Sequence, residues 1–343
     1  MNLLYDTSEN NCLRRIERFA LIALFATGLI LRIFRLVEIG QHPEWLVPDL
    51  DQLDMGFFYN YGQFLADEIR NRTGVGPVAS SLPSSPVTWT QDKDSCFVRP
   101  PAYSFFLALV FVLTGNTLMA PIVLQSLMGL INAVLAWRLM RRIGGPFPAL
   151  LTAAFMLFYW VLIVYEGVYH AQTLMIFLAL IFLNALEIWS EKPSLGRAAF
   201  TGCFFALHLF ASPSAILFMP VAMLWVAFWI YFSSQDWRAA ARQAYRHMLA
   251  FALGAIVLVA PVTISNWMAD GHFTLISTGG GMMLAFGNLD GADGYFHAFT
   301  AKQIGISTDS SDYYEVSTHF QNATGKKLTP YMVDKLCRNS ALQ

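Results

Sequence analysis

Eight runs of apolar residues, separated mostly by short polar turns, constrain this chain more than any other feature of its sequence. Several approach the roughly 20 residues that an α-helix needs to cross a bilayer. Because hydrocarbon offers no water to backbone N–H and C=O groups, a chain built from such runs folds as a helical bundle. The runs are Phe19–Leu36, Tyr103–Leu113, Leu118–Trp137, Ala149–Tyr165, Ala171–Trp189, Ala198–Ala211, Ala215–Phe232 and Leu249–Trp267.

The composition agrees with a membrane protein. Hydrophobic residues make up 56% of the 343 positions and charged residues only 13%, about half the charge of an ordinary soluble domain. A net charge of −1 gives no reason to expect a nucleic-acid partner. The four cysteines show no CxxC spacing, so neither a zinc site nor a redox motif is indicated. The predicted fold class is therefore an all-α integral membrane protein.

The number of membrane crossings follows from the basic residues, which collect on the cytoplasmic side of short loops. If every run crossed, Arg138, Arg141 and Arg142 would lie outside. Tyr103–Leu113 is too short to span and follows the rigid pair Pro100–Pro101, so we expect a helix on the outer surface there. Seven spans result, with a cytoplasmic N-terminus. The basic residues then inside are Arg14, Arg15, Arg18, Arg138, Arg141, Arg142, Lys192, Arg197, Arg238, Arg242 and Arg246.

This topology divides the chain into five regions. They are a cytoplasmic N-terminus (1–18), a first transmembrane helix (19–37), an outer loop with juxtamembrane helices and the candidate active site (38–117), six further transmembrane helices (118–267), and an outer tail (268–343). Two short helices are expected to meet at Ser212–Ser214, although one long kinked helix is the alternative. The chain is therefore expected to be a multi-pass integral membrane protein.

The outer loop contains the strongest candidates for chemistry. Asp49, Asp51 and Asp54 lie close together, followed by an aromatic stretch that includes Tyr59 and Tyr61. A carboxylate at a membrane surface can deprotonate a hydroxyl, or it can hold a divalent cation such as Mg²⁺ or Mn²⁺ that neutralises phosphate. The alternative is an acidic, solvated loop.

Arg99 is the basic residue beside the expected surface helix. Because the following prolines fix its backbone, its guanidinium could clamp a lipid phosphate with two hydrogen bonds. An arginine that merely extends to the headgroup level is the alternative.

Two further groups are candidates for substrate binding. Glu166 and His170 are four residues apart near the outer end of a span, where they could pair on one helix face. Asn266, Gly280 and Asn288 lie in a glycine-rich stretch that would let a ligand approach the backbone closely. Helix packing and ordinary loop chemistry are the alternatives.

Taken in order, five segments of the chain resemble the GT-C superfamily of membrane glycosyltransferases, specifically the bacterial relatives of protein O-mannosyltransferases and of aminoarabinose transferases. The second of them resembles a family segment that is a juxtamembrane helix. The segments are Leu53–Gln63, Arg99–Ala108, Leu124–Gly129, Ala260–Asn266 and Ser277–Gly294.

The resemblance implies a GT-C-type helical bundle that takes a sugar from a polyprenyl-phosphate-linked donor at the outer face of the bacterial inner membrane. The acceptor would be a hydroxyl on a lipid, glycan or protein. It further implies that Asp54 is the catalytic carboxylate and that Arg99 contacts the donor phosphate. Asp49 and Asp51 would support the site or hold the cation.

The chain departs from the family pattern in several places. Met55, Ser265 and Gln172 stand where the family often has an acid, an arginine and a glutamate, respectively. Family members are also usually longer, so the tail 268–343 is expected to be truncated. An inactive truncated copy, or a non-catalytic transporter or flippase component for lipid-linked sugars, is the alternative function. Spans nearly free of charge favour the enzyme.

Overall fold

A computed structural model gives the structure of the chain. It describes residues 7–46, 53–76, 96–232, 236–288, 300–301, 306–307, 317–318, 321–322, 325 and 328–341.

Helices dominate these residues, which confirms the all-α fold class. The α-helices are α1 (Thr7–Gln41), α2 (Leu53–Thr73), α3 (Ala102–Thr114), α4 (Met119–Ile143), α5 (Pro146–Phe158), α6 (Trp160–Glu166), α7 (Gln172–Glu191), α8 (Leu195–Ala211), α9 (Met219–Phe232), α10 (Trp237–Asp270), α11 (Gly280–Asn288) and α12 (Pro330–Ala341). Short 3-10 helices occupy Pro43–Trp45 and Pro213–Phe218. Two-residue strands β1 (Thr300–Ala301) and β2 (Ile306–Ser307) pair antiparallel, with Thr300 opposite Ser307.

Within the described residues, five helices are long and apolar enough to cross a membrane, and the number is six if a bent pair of helices counts as one span. The five are Arg15–Gln41, Met119–Ile143, Gln172–Glu191, Pro213–Phe232 and Trp237–Asp270, and the pair is α5 with α6. The seventh expected span is α8, which has only 17 residues. It ends at Ala211, where a 3-10 helix begins at Pro213, so the predicted break is confirmed.

Helix α8 packs closely against α10. Leu195 at the start of α8 lines a cavity with Arg246 of α10. Further along, a Cβ atom on Gly202 would lie 2.0 Å from the carbonyl oxygen of Phe251. In the same region, a Cβ atom on Gly254 would lie 2.0 Å from the carbonyl oxygen of Ala199, so glycine on each helix allows the two backbones to approach closely.

A helix forms at Tyr103–Leu113 as expected; it is α3 and has 13 residues, and its place on the membrane surface stays a prediction. At 1.5 Å per residue it is about 20 Å long, shorter than the roughly 30 Å hydrocarbon core. It ends where Gly115 adopts φ of 70° and donates its N–H to the carbonyl of Phe111. Helix α2 packs so tightly on α3 that a Cβ atom on Gly62 would lie 2.7 Å from the Cβ of Leu107.

A buried ion pair joins the first span to the bent one. Arg32 of α1 and Glu166 at the end of α6 form a 2.6 Å contact, and their side chains are only 2% and 3% exposed. Tyr159 is extended at the 50° break between α5 and α6. Arg32 also donates to the carbonyl of Leu157, just before that break. A break at membrane depth is tolerated when other groups bond the backbone atoms that it frees.

Candidate active site

Asp54 lies in the first turn of α2, a helix that packs against α3. A carboxylate is stabilised there because the peptide dipoles leave partial positive charge at a helix N-terminus. The side chain is 40% exposed, so it is open to an incoming molecule.

Arg99 faces Asp54 from the segment that precedes α3. One guanidinium nitrogen, Nη1, forms a short ion pair with Oδ1 of Asp54. The guanidinium carbon lies 5.8 Å from the ring centre of Phe57, one turn further along α2. The Arg99 side chain is 19% exposed, and the aromatic face on which it rests restricts its orientation.

The segment that carries Arg99 is fixed by hydrogen bonds from the end of α10 and the turn after it. The backbone N–H of Phe97 donates to Oδ1 of Asn266 at 2.9 Å. The carbonyl of Phe97 accepts from the backbone N–H of Thr278 at 2.7 Å. Asn266 also donates to the carbonyls of Thr274 and Ile276, and it is 1% exposed. Asn266 therefore acts through the position of Arg99, and its buried side chain offers a substrate no surface.

His170 is the third charged or polar group at this site. It lies in the turn between α6 and α7, with Nε2 3.9 Å from Oδ2 of Asp54. The backbone N–H of Ala171 donates to Nδ1 at 3.0 Å, so in the neutral ring the proton is on Nε2, toward Asp54. Burial lowers the pKa of His170 below its ordinary 6.5; the Asp54 carboxylate opposes this shift and Arg99 adds to it.

Gln125 of α4 supports the turn that carries His170. Its Nε2 donates to the carbonyls of Glu166 and Val168, and its Oε1 accepts from the hydroxyl of Tyr103. Tyr169 adds a 2.6 Å bond from its hydroxyl to the carbonyl of Leu118. Gln125 is fully buried, so these bonds are shielded from water.

Tyr59 and Tyr61 are buried in aromatic packing. Tyr59 contacts the rings of Phe111 and Tyr169, and Tyr61 contacts that of Phe97. Burial raises the pKa of each tyrosine to about 12, so both phenols stay neutral at physiological pH. These ring contacts hold the first turns of α2, where Asp54 lies, against the neighbouring segments.

The expected pairing of Glu166 with His170 does not form, because α6 ends at Glu166 and the turn sends the two side chains in different directions. Glu166 points into the bundle toward Arg32 and is 3% exposed, so a substrate contact there has no support. His170 is turned toward Asp54.

Gly280 begins α11, whose N-terminus is occupied by a carboxylate from α12. Oδ1 of Asp334 accepts the backbone N–H groups of Gly279, Gly281 and Met282 at 3.2, 2.6 and 3.3 Å. Asn288 ends the same helix, is exposed, and donates to the carbonyl of Leu284. The glycine-rich turn therefore holds Asp334, where we expected a ligand.

Asp49 and Asp51 lie outside the described residues. Among the residues that the structure does describe, no group of three or more His, Cys, Asp or Glu side chains could hold a metal ion. In the described part of the site, the positive charge beside Asp54 comes from Arg99.

Sequence reasoning missed two functional features of this region. Gln125 gave no signal, because a single glutamine in an apolar run resembles any helix-packing residue. Arg32 did give one, since an arginine inside the first apolar run calls for a buried partner.

Comparison with known proteins gives one match. Residues 98–265 match the family model described as dolichyl-phosphate-mannose-protein mannosyltransferase. The matched segment begins just before Arg99 and includes His170, whereas Asp54 precedes it. Neither a curated protein nor a solved structure matches the chain. Together with the apolar helices, the family match supports a membrane glycosyltransferase of the GT-C type.

Proposed function

We propose that this protein transfers a sugar from a polyprenyl-phosphate-linked donor to an acceptor hydroxyl at the outer membrane–water interface. Asp54 is the general base and Arg99 binds the departing phosphate. The observation that supports this assignment is the direct contact between a half-exposed carboxylate and a guanidinium beside the N-terminal ends of α2 and α3.

In the proposed reaction, Asp54 acts on the acceptor hydroxyl and Arg99 acts on the leaving phosphate. The acceptor oxygen attacks C1 of the sugar while its proton passes to a carboxylate oxygen of Asp54. The bond from C1 to the phosphate oxygen breaks, and its electron pair leaves with the lipid phosphate. Arg99 stabilises the charge that develops there, because a guanidinium presents paired donors to phosphate oxygens. Displacement from the opposite face inverts the configuration at C1.

The ion pair implies an order of binding. While Arg99 holds Oδ1 of Asp54, the guanidinium occupies that oxygen, and an acceptor hydroxyl cannot reach it. A donor phosphate competes for the same guanidinium and draws it away from Asp54. The base is thus freed when the donor is in place, which protects the donor from premature attack by water.

His170 supports this base. Its Nε2–H points to Oδ2 of Asp54 from 3.9 Å, beyond direct hydrogen-bond distance. A small rotation of Asp54 on release from Arg99 would close this gap and orient the second carboxylate oxygen. His170 is therefore assigned as a positioning residue.

The test is sugar transfer from a polyprenyl-phosphate donor by purified protein in detergent. Asp54→Asn should reduce kcat by about 10²–10⁴-fold, the usual value of general-base assistance. Arg99→Gln should lower kcat/KM by about 10²-fold or more, and Arg99→Lys should recover part of the loss. Asp67→Asn is the matched control, because Asp67 is an exposed acid on the same helix that pairs with Arg70.

Wild-type rates from Asp54→Asn would refute the assignment of the base. Chelation tests the expected cation separately: if Mg²⁺ or Mn²⁺ bridges the site through Asp49 and Asp51, removing divalent ions should stop transfer, and adding them back should restore it.

A transporter or flippase component remains the second candidate, and the buried Arg32–Glu166 pair beside a broken span favours it. Transporters often place charges and interrupted helices within the bilayer. The two functions separate in the same assay. Transfer in detergent needs no sealed membrane, whereas a flippase moves donor between the leaflets of a vesicle without forming a glycosidic bond.

A further inference from the structure

A cavity of about 360 Å³ opens between the start of α8 and the first turns of α10, away from the candidate active site. Its lining is rich in hydrogen-bond donors, and none of the described residues that form it is acidic. The lining residues are Leu195, Ala239, Arg242, Gln243, Arg246 and His247.

The two arginines of this cavity differ from those on neighbouring helices. Arg141 pairs with Glu17, and Arg142 pairs with Glu187 and Glu191. Arg242 and Arg246 are exposed, and no carboxylate of the described residues lies within ion-pair distance of either. Two uncompensated guanidinium groups one turn apart attract an anion.

His247 adds a donor at the inner wall. It is 5% exposed, and its Nδ1 accepts the indole N–H of Trp189 at 3.0 Å. The proton of the neutral ring is therefore on Nε2. Trp189 is fully buried and stacks on Phe251, so the orientation of the imidazole is fixed.

The surface that continues from the two arginines along α10 is apolar. Leu249, Leu253, Ile256 and Val257 follow Arg246 at helical spacing, and they are 47%, 52%, 55% and 67% exposed. Residues at spacings of three and four share one face of a helix. That face is cationic for one turn and then apolar for about two turns. It therefore complements a phospholipid, in which an anionic phosphate is followed by apolar acyl chains.

We propose that this cavity is a binding site for the headgroup of an anionic phospholipid. The phosphodiester lies between Arg242 and Arg246, Gln243 and His247 supply further donors, and an acyl chain lies along the apolar face of α10. Basic pockets between transmembrane helices on the cytoplasmic side bind anionic headgroups in this way, and the basic residues predict the cytoplasmic side for this end of α10. The site is independent of the proposed transfer chemistry.

The test measures lipid retention by native mass spectrometry and melting temperature in detergent, with phosphatidylglycerol or phosphatidylcholine added. The wild type should retain phosphatidylglycerol at least about tenfold more strongly than phosphatidylcholine, and phosphatidylglycerol should raise its melting temperature. The double variant Arg242→Gln/Arg246→Gln should lose this preference by about tenfold or more, given the usual contribution of each cation near an anionic surface. The charge-matched control Arg15→Gln/Arg138→Gln should keep it.

A second variant keeps the proposal falsifiable if the double variant folds poorly. Ala239→Trp fills the cavity without altering charge, and it should weaken phosphatidylglycerol retention to a similar degree. Equal losses in the charge-matched control would show bulk electrostatics and overturn the proposal. It would also fall if inorganic phosphate at millimolar concentration raised the melting temperature as much as the lipid, because the ligand would then be a soluble anion.

Discussion

The residues of the candidate site depend on neighbours that carry no chemistry of their own. Asn266 fixes the segment that holds Arg99, and Gln125 fixes the turn that holds His170. Aromatic contacts of Tyr59 hold the first turns of α2 beneath Asp54. Buried residues thus position the charged side chains of the candidate site, which keeps these side chains aligned where they are exposed.

His170 gives a pH-dependent prediction. Its pKa is lowered by burial, so the neutral ring persists somewhat below pH 6.5. The unfolded chain takes up this proton at higher pH than the folded one, so acidification below 6.5 costs stability and charges the ring. We expect kcat/KM to be constant above pH 6.5. Below that pH it should first decline because His170 becomes protonated. In His170→Gln, which keeps an N–H donor, kcat should fall about tenfold or less and that first decline should disappear.

Measurement of kcat/KM from pH 5 to 8 for both proteins checks this prediction. An unchanged acid limb in His170→Gln would mean that another group titrates there.

The Arg32–Glu166 pair gives a second prediction at this scale. Removal of one partner leaves a buried charge uncompensated, which typically costs about 3–5 kcal/mol. Arg32→Met and Glu166→Met should each lower the free energy of unfolding by an amount of this order. The double variant should recover most of the loss, since apolar side chains suit the site. Chemical unfolding in detergent gives the free energy of unfolding of the wild type, the two single variants and the double variant. If the two single losses added up in the double variant, the proposed coupling would be contradicted.

Secondary-structure elements in this chain end where a single residue changes the backbone. Gly115 ends α3 with a left-handed conformation, Ser212 and Pro213 separate α8 from the helix that follows, and an extended Tyr159 bends the third span. The first two breaks were predictable from sequence, because glycine and proline cause them. The third was not, because tyrosine has no such preference and the bend depends on a distant arginine that bonds to Leu157.

The docking of α12 on α11 gives a prediction for the outer tail. Asp334 accepts three backbone N–H groups there, yet burial raises its pKa above the ordinary value. Asp334→Ala leaves these donors without a partner and should destabilise the tail by about 1–2 kcal/mol. Asp334→Asn keeps an acceptor and avoids burying a charge, so it should cost much less.

Hydrogen exchange at the amides of 279–282 compares the two variants directly. Equal protection in Asp334→Ala and the wild type would show that the contact contributes nothing to α11.

At the scale of the whole molecule, the order of apolar runs and basic turns was enough to predict a helical membrane bundle and the short helix α3. The side-chain partners across the bundle were not predictable, because they join residues far apart in the sequence. Arg32 and Glu166 are 134 residues apart, and no local pattern connects them. The same holds for Asp334, whose partners begin 55 residues earlier.

The orientation of the bundle remains a prediction and can be tested by labelling. In a background with the four native cysteines replaced by serine, Asn288→Cys should react with a membrane-impermeant maleimide on intact cells, and Gly196→Cys should not. Both positions are exposed, and a side chain at Gly196 would meet nothing within 4 Å. Labelling at 196 from outside would reverse the predicted topology.

The buried pair also has a consequence for biosynthesis. Arg32 enters the membrane with the first span, while Glu166 is still 134 codons from being translated. At about 5–20 residues per second, the arginine waits between roughly 7 and 27 seconds for its partner. An unpaired arginine within a span disfavours insertion by up to about 3 kcal/mol. We therefore expect the first helix to complete its packing in the bundle only after the third span has been made.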